Sequence, residues 1–169
     1  VEPVFIDSSA NHTSPVAPAR TSQTDPIRVD WVESGLGLGG RLGITFAPGK
    51  VASSIDGRPW ERRLDLDLDR LVEGFGVDVL VSLVEEDELS HLHIPQLVAE
   101  AEARGVAVLR LPIPDGGVPS LSEAAQVSQA ALSLAKSGRR VVFHCRGGLG
   151  RAGTLCACTL TRLEMSAPA

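Results

Sequence analysis

Apolar positions along the chain alternate between dense short runs and wider helical spacings. The densest run, 77–84, carries Val77, Val79, Leu80, Val81, Leu83 and Val84, which predicts a strand buried on both faces. Residues 106–111 and 140–144 repeat this character, and strand candidates at 27–32 and 42–46 precede them. Helical spacing predicts a helix over 64–75, although Asp65, Asp67 and Asp69 alternate with Leu in a way that also fits a strand. A second helix over 94–104 is stopped by Gly105. A longer one starts near Leu121 and runs to about Ser137, with Ser120 or Ser122 as cap, Glu123 completing a capping box with Ser120, and Gly138 at its end. Alternating strands and helices predict an α/β domain with a mainly parallel central sheet and helices on both faces. Ligands of such folds bind beyond the carboxyl ends of the strands. Residues 1–26 are rich in Pro, Ser, Thr and Ala without periodicity and read as a flexible leader to one domain over 27–169.

The chemistry concentrates in His144-Cys145-Arg146-Gly147-Gly148-Leu149-Gly150-Arg151-Ala152-Gly153-Thr154. A strand ends at Cys145, a Gly-rich loop follows, and an Ala/Leu/Cys-rich helix begins. That order builds a cradle of backbone N–H groups at a helix N-terminus, where an oxyanion is held by aligned donors and the helix dipole. A thiol with an ordinary pKa of ~8.5 is lowered to ~3.5–7.5 in such a place. Cys145 is therefore the candidate nucleophile and Arg146, Gly147, Gly148, Leu149, Gly150 and Arg151 the candidate phosphate loop. The Arg151 guanidinium fork suits two equatorial phosphate oxygens and gains strength as charge spreads over them in a transition state. In-line attack would give a phosphocysteine that water then cleaves. Three other readings stand beside this one. Cys145 could be a buried core thiol, the nucleophile of a rhodanese-like sulfurtransferase, or part of a phosphate-recognition module without turnover.

His-Cys, five residues and Arg resembles the signature of cysteine-dependent protein tyrosine and dual-specificity phosphatases, most nearly their kinase-associated group, which shares the Gly-Gly-Leu-Gly-Arg run at 147–151. Leu111-Pro112-Ile113-Pro114-Asp115-Gly116-Gly117-Val118-Pro119 resembles that group's general-acid loop, and the likeness extends over roughly 28–165. The resemblance implies the cysteine-phosphatase fold and a phosphorylated protein substrate, with Tyr and also Ser/Thr as the residues hydrolysed. It implies Asp115 as general acid, on a loop able to fold over the site. It implies His144 as a neighbour that anchors the loop by hydrogen bonds and helps set the Cys145 pKa. No cofactor or metal is called for, since Arg151 and the loop amides supply the electrostatics. The family places Ser or Thr directly after the Arg, where its hydroxyl bonds the Cys sulfur; here that residue is Ala152, and Thr154 lies rotated away along the helix. A normal first step and a slowed second step are expected. Only a short helix follows Arg151, so Leu155, Leu160 and Leu163 are expected to be poorly covered, which favours a homodimer.

Composition removes several function classes. No run approaches the ~18–20 apolar residues of a membrane span. A net charge of −5 speaks against general nucleic-acid affinity. Three cysteines and no secretory leader pattern predict a cytoplasmic protein rather than a disulfide framework. Gly35-Leu36-Gly37-Leu38-Gly39-Gly40 matches a dinucleotide-binding pattern, but a strand rather than a helix is predicted after it, so it reads as a glycine loop. Asn11-His12-Thr13 fits a glycosylation sequon, and His91-Leu92-His93 reads as a partly exposed helix start without metal partners. Cys156 and Cys158 read as core fillers, with a protective disulfide to oxidised Cys145 as the other option. Glu85-Glu86-Asp87-Glu88 reads as a solvated loop at the mouth of the site that discourages highly anionic ligands.

Overall fold

The computed structural model describes residues 17–32, 37–54 and 56–165. Seven strands form among the described residues: β1 (Asp30–Trp31), β2 (Arg41–Phe46), β3 (Val51–Ala52), β4 (Trp60–Glu61), β5 (Val79–Ser82), β6 (Ala107–Arg110) and β7 (Arg140–Cys145). The main sheet has the order β1-β2-β7-β5-β6, with β2, β7, β5 and β6 parallel and β1 antiparallel at the edge. β3 and β4 make a separate two-stranded hairpin. The helices are α1 (Leu64–Asp69), α2 (Glu86–His91), α3 (Leu97–Glu102), α4 (Leu121–Lys136) and α5 (Gly150–Met165).

Strand alternation sorts the core into two layers. Leu80 and Val142 point to one face, where they meet Leu64, Leu68, Leu71, Leu89 and Leu97. Val79, Val81, Val141 and Phe143 point to the other, against Ala131, Ala135, Ala152 and Leu155 of α4 and α5. Helices therefore cover both faces, and β7 lies buried between β2 and β5 from Val141 to its end. The central position of β7 matters for function, because its carboxyl end delivers Cys145 to a rim walled by neighbouring strands.

The helix expected over 64–75 forms as α1 and continues as a π-helical turn, Arg70–Gly74. Leu64, Leu68 and Leu71 enter the core at helical spacing, and Asp67 is buried with a partner rather than exposed on a strand face. The capping box forms as predicted, Ser120 accepting from the Glu123 N–H and the Glu123 carboxylate accepting from the Ser120 N–H. A cap of this kind contributes about 1 kcal/mol. Gly105 and Gly138 take positive φ after their helices.

Other expectations need correction. Of 27–32, only Asp30–Trp31 pairs as strand. The helix expected over 94–104 is confined to Leu97–Glu102. Glu85-Glu86-Asp87-Glu88 is not a loop but the entry to α2, where three carboxylates in the first turn complement the helix dipole. His91 ends that helix instead of starting one. Residues 17–26, expected within the flexible leader, are tied to the domain: Arg20 pairs with Asp56 and bridges to Trp60, and Arg62 donates to the carbonyls of Thr21 and Asp25 at 3.2 and 2.6 Å. Leu155 is fully buried and Leu160 packs on the α4–α5 layer, so that face is better covered than expected. The sequon at 11–13 and part of the glycine loop lie outside the described residues.

Candidate active site

β7 runs in register with β2, so that Cys145 stands beside Phe46 at the end of the sheet. The chain then folds back over β2 and enters α5 at Gly150. Gly148 makes this turn at φ +85, and a Cβ there would lie 2.7 Å from the Phe46 nitrogen. Any side chain would push the loop off the sheet. The Gly148 N–H donates to Cys145 Sγ at 3.2 Å, which aims a backbone dipole at the sulfur. Cys145 is buried at the positive end of the sixteen-residue α5.

Arg151 occupies the first turn of α5 and is only 5% exposed. Its Nη1 and Nη2 donate to the two oxygens of Glu88 at 2.7 and 2.8 Å, a bidentate pair. Nη1 also donates to the Ile113 carbonyl at 2.8 Å, and Nη2 to Asp115 Oδ1 at 3.0 Å. The bond to Glu88 chiefly, with attraction to Glu88, Asp115 and Cys145, raises the Arg151 pKa against the opposing effect of burial. The guanidinium is thus a fixed charge in a fixed orientation.

Asp115 sits on an exposed turn closed by a bond from the Gly117 N–H to the Pro114 carbonyl at 2.8 Å, with Gly116 at φ +75. Its second oxygen lies 4.0 Å from the exposed Arg146 guanidinium. A cavity of about 800 Å³ opens here, lined by Asp115, Cys145, Arg146, Gly147, Leu149, Gly150 and Arg151 among others. Gly148 lies beneath the loop against β2, and Leu149 projects from the rim, three-quarters exposed. The candidate residues separated by thirty-six positions in sequence, Asp115 and Arg151, are therefore in direct contact.

His144 departs from its expected role. Its ring is fully buried, and neither nitrogen has a hydrogen-bond partner of good geometry. Burial lowers its pKa to about 3, with the Arg110 and Arg151 charges adding to the effect and the Cys145 backbone only partly opposing it. It is neutral at ordinary pH. Ala152 is buried in the core, and the Thr154 hydroxyl donates to the Gly150 carbonyl at 3.0 Å. Cys156 is a core thiol that burial pushes up to about 11.

Two residues of the site receive no role from the sequence. Glu88 was placed in a solvated acidic run, yet it grips Arg151, while Glu86 pairs with Arg110 at 2.7 Å. Lys50 is 5% exposed, lines the same cavity and donates through Nζ to the Arg146 carbonyl at 3.1 Å. A lone Lys in a Pro-Gly-Lys turn carries no signal by itself; only the fold of the loop over β2 brings it to the site. Among the described residues, no group of three or more His, Cys, Asp or Glu side chains is placed to hold a metal, and no helix is long and apolar enough to cross a membrane.

A thiol facing a loop amide, a fixed guanidinium and a carboxylate on an exposed turn in one cavity fit the site of a cysteine-dependent phosphatase. A family model described as "Polymorphic toxin system, DSP-PTPase phosphatase" matches residues 57–164, and the chain belongs to that family. It is 30% identical to cyclin-dependent kinase inhibitor 3 of Rattus norvegicus, over 97% of this chain and 74% of that protein. The Homo sapiens protein of the same name is 27% identical, over 96% of this chain and 74% of its own. Among solved structures, kinase associated phosphatase with its catalytic-site cysteine replaced by serine superposes with a TM-score of 0.72 at 26% identity, covering 84% of this chain and 77% of that one. PTPMT1 gives a TM-score of 0.52 at 26% identity, over 69% and 68% of the two chains. The protein is a dual-specificity protein tyrosine phosphatase with the α/β fold of that class.

Proposed function

We propose that the chain hydrolyses phosphomonoesters on proteins, phosphotyrosine and also phosphoserine or phosphothreonine, with Cys145 as nucleophile, Arg151 as phosphate clamp and Asp115 as general acid. The observation that carries this reading is the Gly148 N–H directed at Cys145 Sγ on the floor of a cavity that Arg151 and Asp115 also line. Relatives named as a kinase associated phosphatase support a phosphoprotein substrate. The three free thiols fit a reducing compartment such as the cytoplasm.

In the first step the Cys145 thiolate attacks phosphorus and the bond to the ester oxygen breaks. Asp115, protonated, passes its proton to that oxygen as it leaves. The Arg151 fork and the loop amides hold the equatorial oxygens as their charge grows. The Asp115 carboxylate now rests on the Nη2 edge of Arg151, and an entering phosphate competes for the same donor. In the second step water attacks the phosphocysteine, gives its proton to Asp115 and frees phosphate and thiolate.

Ala152 offers no hydroxyl to the departing sulfur, and the Thr154 hydroxyl is engaged by its own helix. The phosphocysteine should accumulate. Acid-quenched enzyme, taken during turnover of an aryl phosphate, should carry one phosphate on Cys145 in mass spectra, after a stoichiometric burst of phenol. A linear time course with unmodified Cys145 would contradict the slow second step. Phosphate binding without any turnover would instead favour a recognition module.

A further inference from the structure

Lys50 is a buried cation with no carboxylate partner among the described residues. Its charged neighbours are Arg62 after β4, Arg146 in the nucleophile loop, Arg20 in the N-terminal segment and Cys145 at the end of β7. Its Nζ lies 4.0 Å from the centre of the Trp60 ring and 4.7 Å from that of Phe46. Aromatic faces compensate part of the lost hydration of an ammonium but not the repulsion of three guanidinium groups. Such a group is poorly placed for stability.

The Arg146 carbonyl explains its position. A loop that turns its amides toward an anion must turn its carbonyls away from it, and a carbonyl buried without a donor is costly. The carbonyl next to the nucleophile receives the Ala47 N–H at 3.4 Å and the Lys50 ammonium at 3.1 Å. His144, the neighbour expected to anchor this loop, makes no side-chain hydrogen bond of good geometry among the described residues. The backbone at Lys50 is itself fixed. Gly49 donates its N–H to buried Asp67 at 2.8 Å, Asp67 pairs with Arg62 through two bonds of 2.8 Å, and the Lys50 carbonyl accepts the Arg62 N–H at 3.3 Å.

We propose that Lys50 is a positioning residue of the nucleophile loop: its ammonium, seated against Trp60 and Phe46, holds the Arg146 carbonyl outward and so keeps the loop amides directed into the phosphate site. This rests on the phosphatase reading above. Burial first, then the three arginines, lower the Lys50 pKa to about 8, while Cys145 works in the opposite direction. The strut therefore loses its charge near pH 8.

The test is the pH profile of kcat/KM for an aryl phosphate between pH 5 and 10, in wild type, Lys50→Met and Lys50→Arg, together with the Kd of inorganic phosphate by calorimetry. Beyond any fall from loss of the Asp115 proton, kept small by an aryl phosphate with an acidic leaving group, wild type should show a further decline above about pH 8. Lys50→Met should lose about tenfold in kcat/KM at pH 7, bind phosphate more weakly and lack that decline. Lys50→Arg should restore much of the rate and carry it past pH 9, since a guanidinium stays charged. If Lys50→Met fails to fold, the Lys50→Arg profile decides. A wild-type profile retained in level and shape by either folded variant overturns the proposal. Absence of turnover in wild type would count against the phosphatase reading alone, and phosphate affinity in Lys50→Met would still judge the strut.

Discussion

Arg151 and Lys50 are both 5% exposed and both stand beside Cys145, yet the protein treats their charges in opposite ways. Arg151 has a bidentate carboxylate, a carbonyl and a second carboxylate, and its pKa is raised. Lys50 has one carbonyl and two rings, faces three arginines, and its pKa falls to about 8. One cation of the cavity is permanent and set in a rigid frame. The other is a titratable cation attached to the loop backbone. A guanidinium survives burial because its partners are built in; an ammonium survives only as far as the surrounding field allows.

Replacing the permanent charge should have the largest effect. Arg151→Lys keeps a positive charge but loses the planar fork, and kcat/KM should fall by about a hundredfold or more. Steady-state kinetics would show this, and a loss below threefold would mean that the fork is not used. Asp115→Asn should then slow hydrolysis of an alkyl phosphate by about a hundredfold while an aryl phosphate with an acidic leaving group loses much less. Equal losses on both substrates would deny Asp115 the proton transfer. Removing the frame instead of the charge comes next. Glu88→Ala leaves a buried guanidinium short of its main partner and should destabilise the fold by about 3 kcal/mol. A chemical-denaturation midpoint equal to wild type would show that the Glu88 pair adds nothing.

The last effect, on the pH dependence of stability, concerns His144. Its folded-state pKa of about 3 lies below the ordinary 6.5, so between those values the unfolded chain binds a proton that the folded chain refuses. Stability is complete above about pH 6.5 and declines as pH falls, by up to about 1.4 kcal/mol per unit. His144→Gln should remove this contribution, and the difference in Tm between variant and wild type should narrow from pH 7 to pH 4. A difference independent of pH would show that His144 does not titrate on unfolding.

The candidate phosphate loop was legible because its parts are contiguous. A strand, a Gly-rich turn and a helix start follow one another from 140 to 154, and each has its own local signal. Glu88 and Lys50 were not legible because they reach the site across sixty-three and ninety-six positions. Nothing within their own segments distinguishes them from a surface Glu in an acidic run or a Lys in a turn. The same holds for Asp67, whose alternation with Leu imitated a strand until Arg62 and the Gly49 N–H supplied a reason for a buried carboxylate on a helix. His144 taught the reverse lesson. Its place beside Cys145 suggested a hydrogen-bonded anchor, while the packing of β7 between β2 and β5 leaves its ring without partners. The β3–β4 hairpin was missed because two-residue strands carry no periodicity.

The central claim is that Cys145 is the nucleophile of a phosphatase. Its most direct test is hydrolysis of a small aryl phosphate by wild type and Cys145→Ser, sampled fast enough to resolve the first turnover. The account predicts a burst and turnover in wild type, and neither in Cys145→Ser, with inorganic phosphate still bound by both. Equal hydrolysis by the two proteins, or none by either, would contradict it.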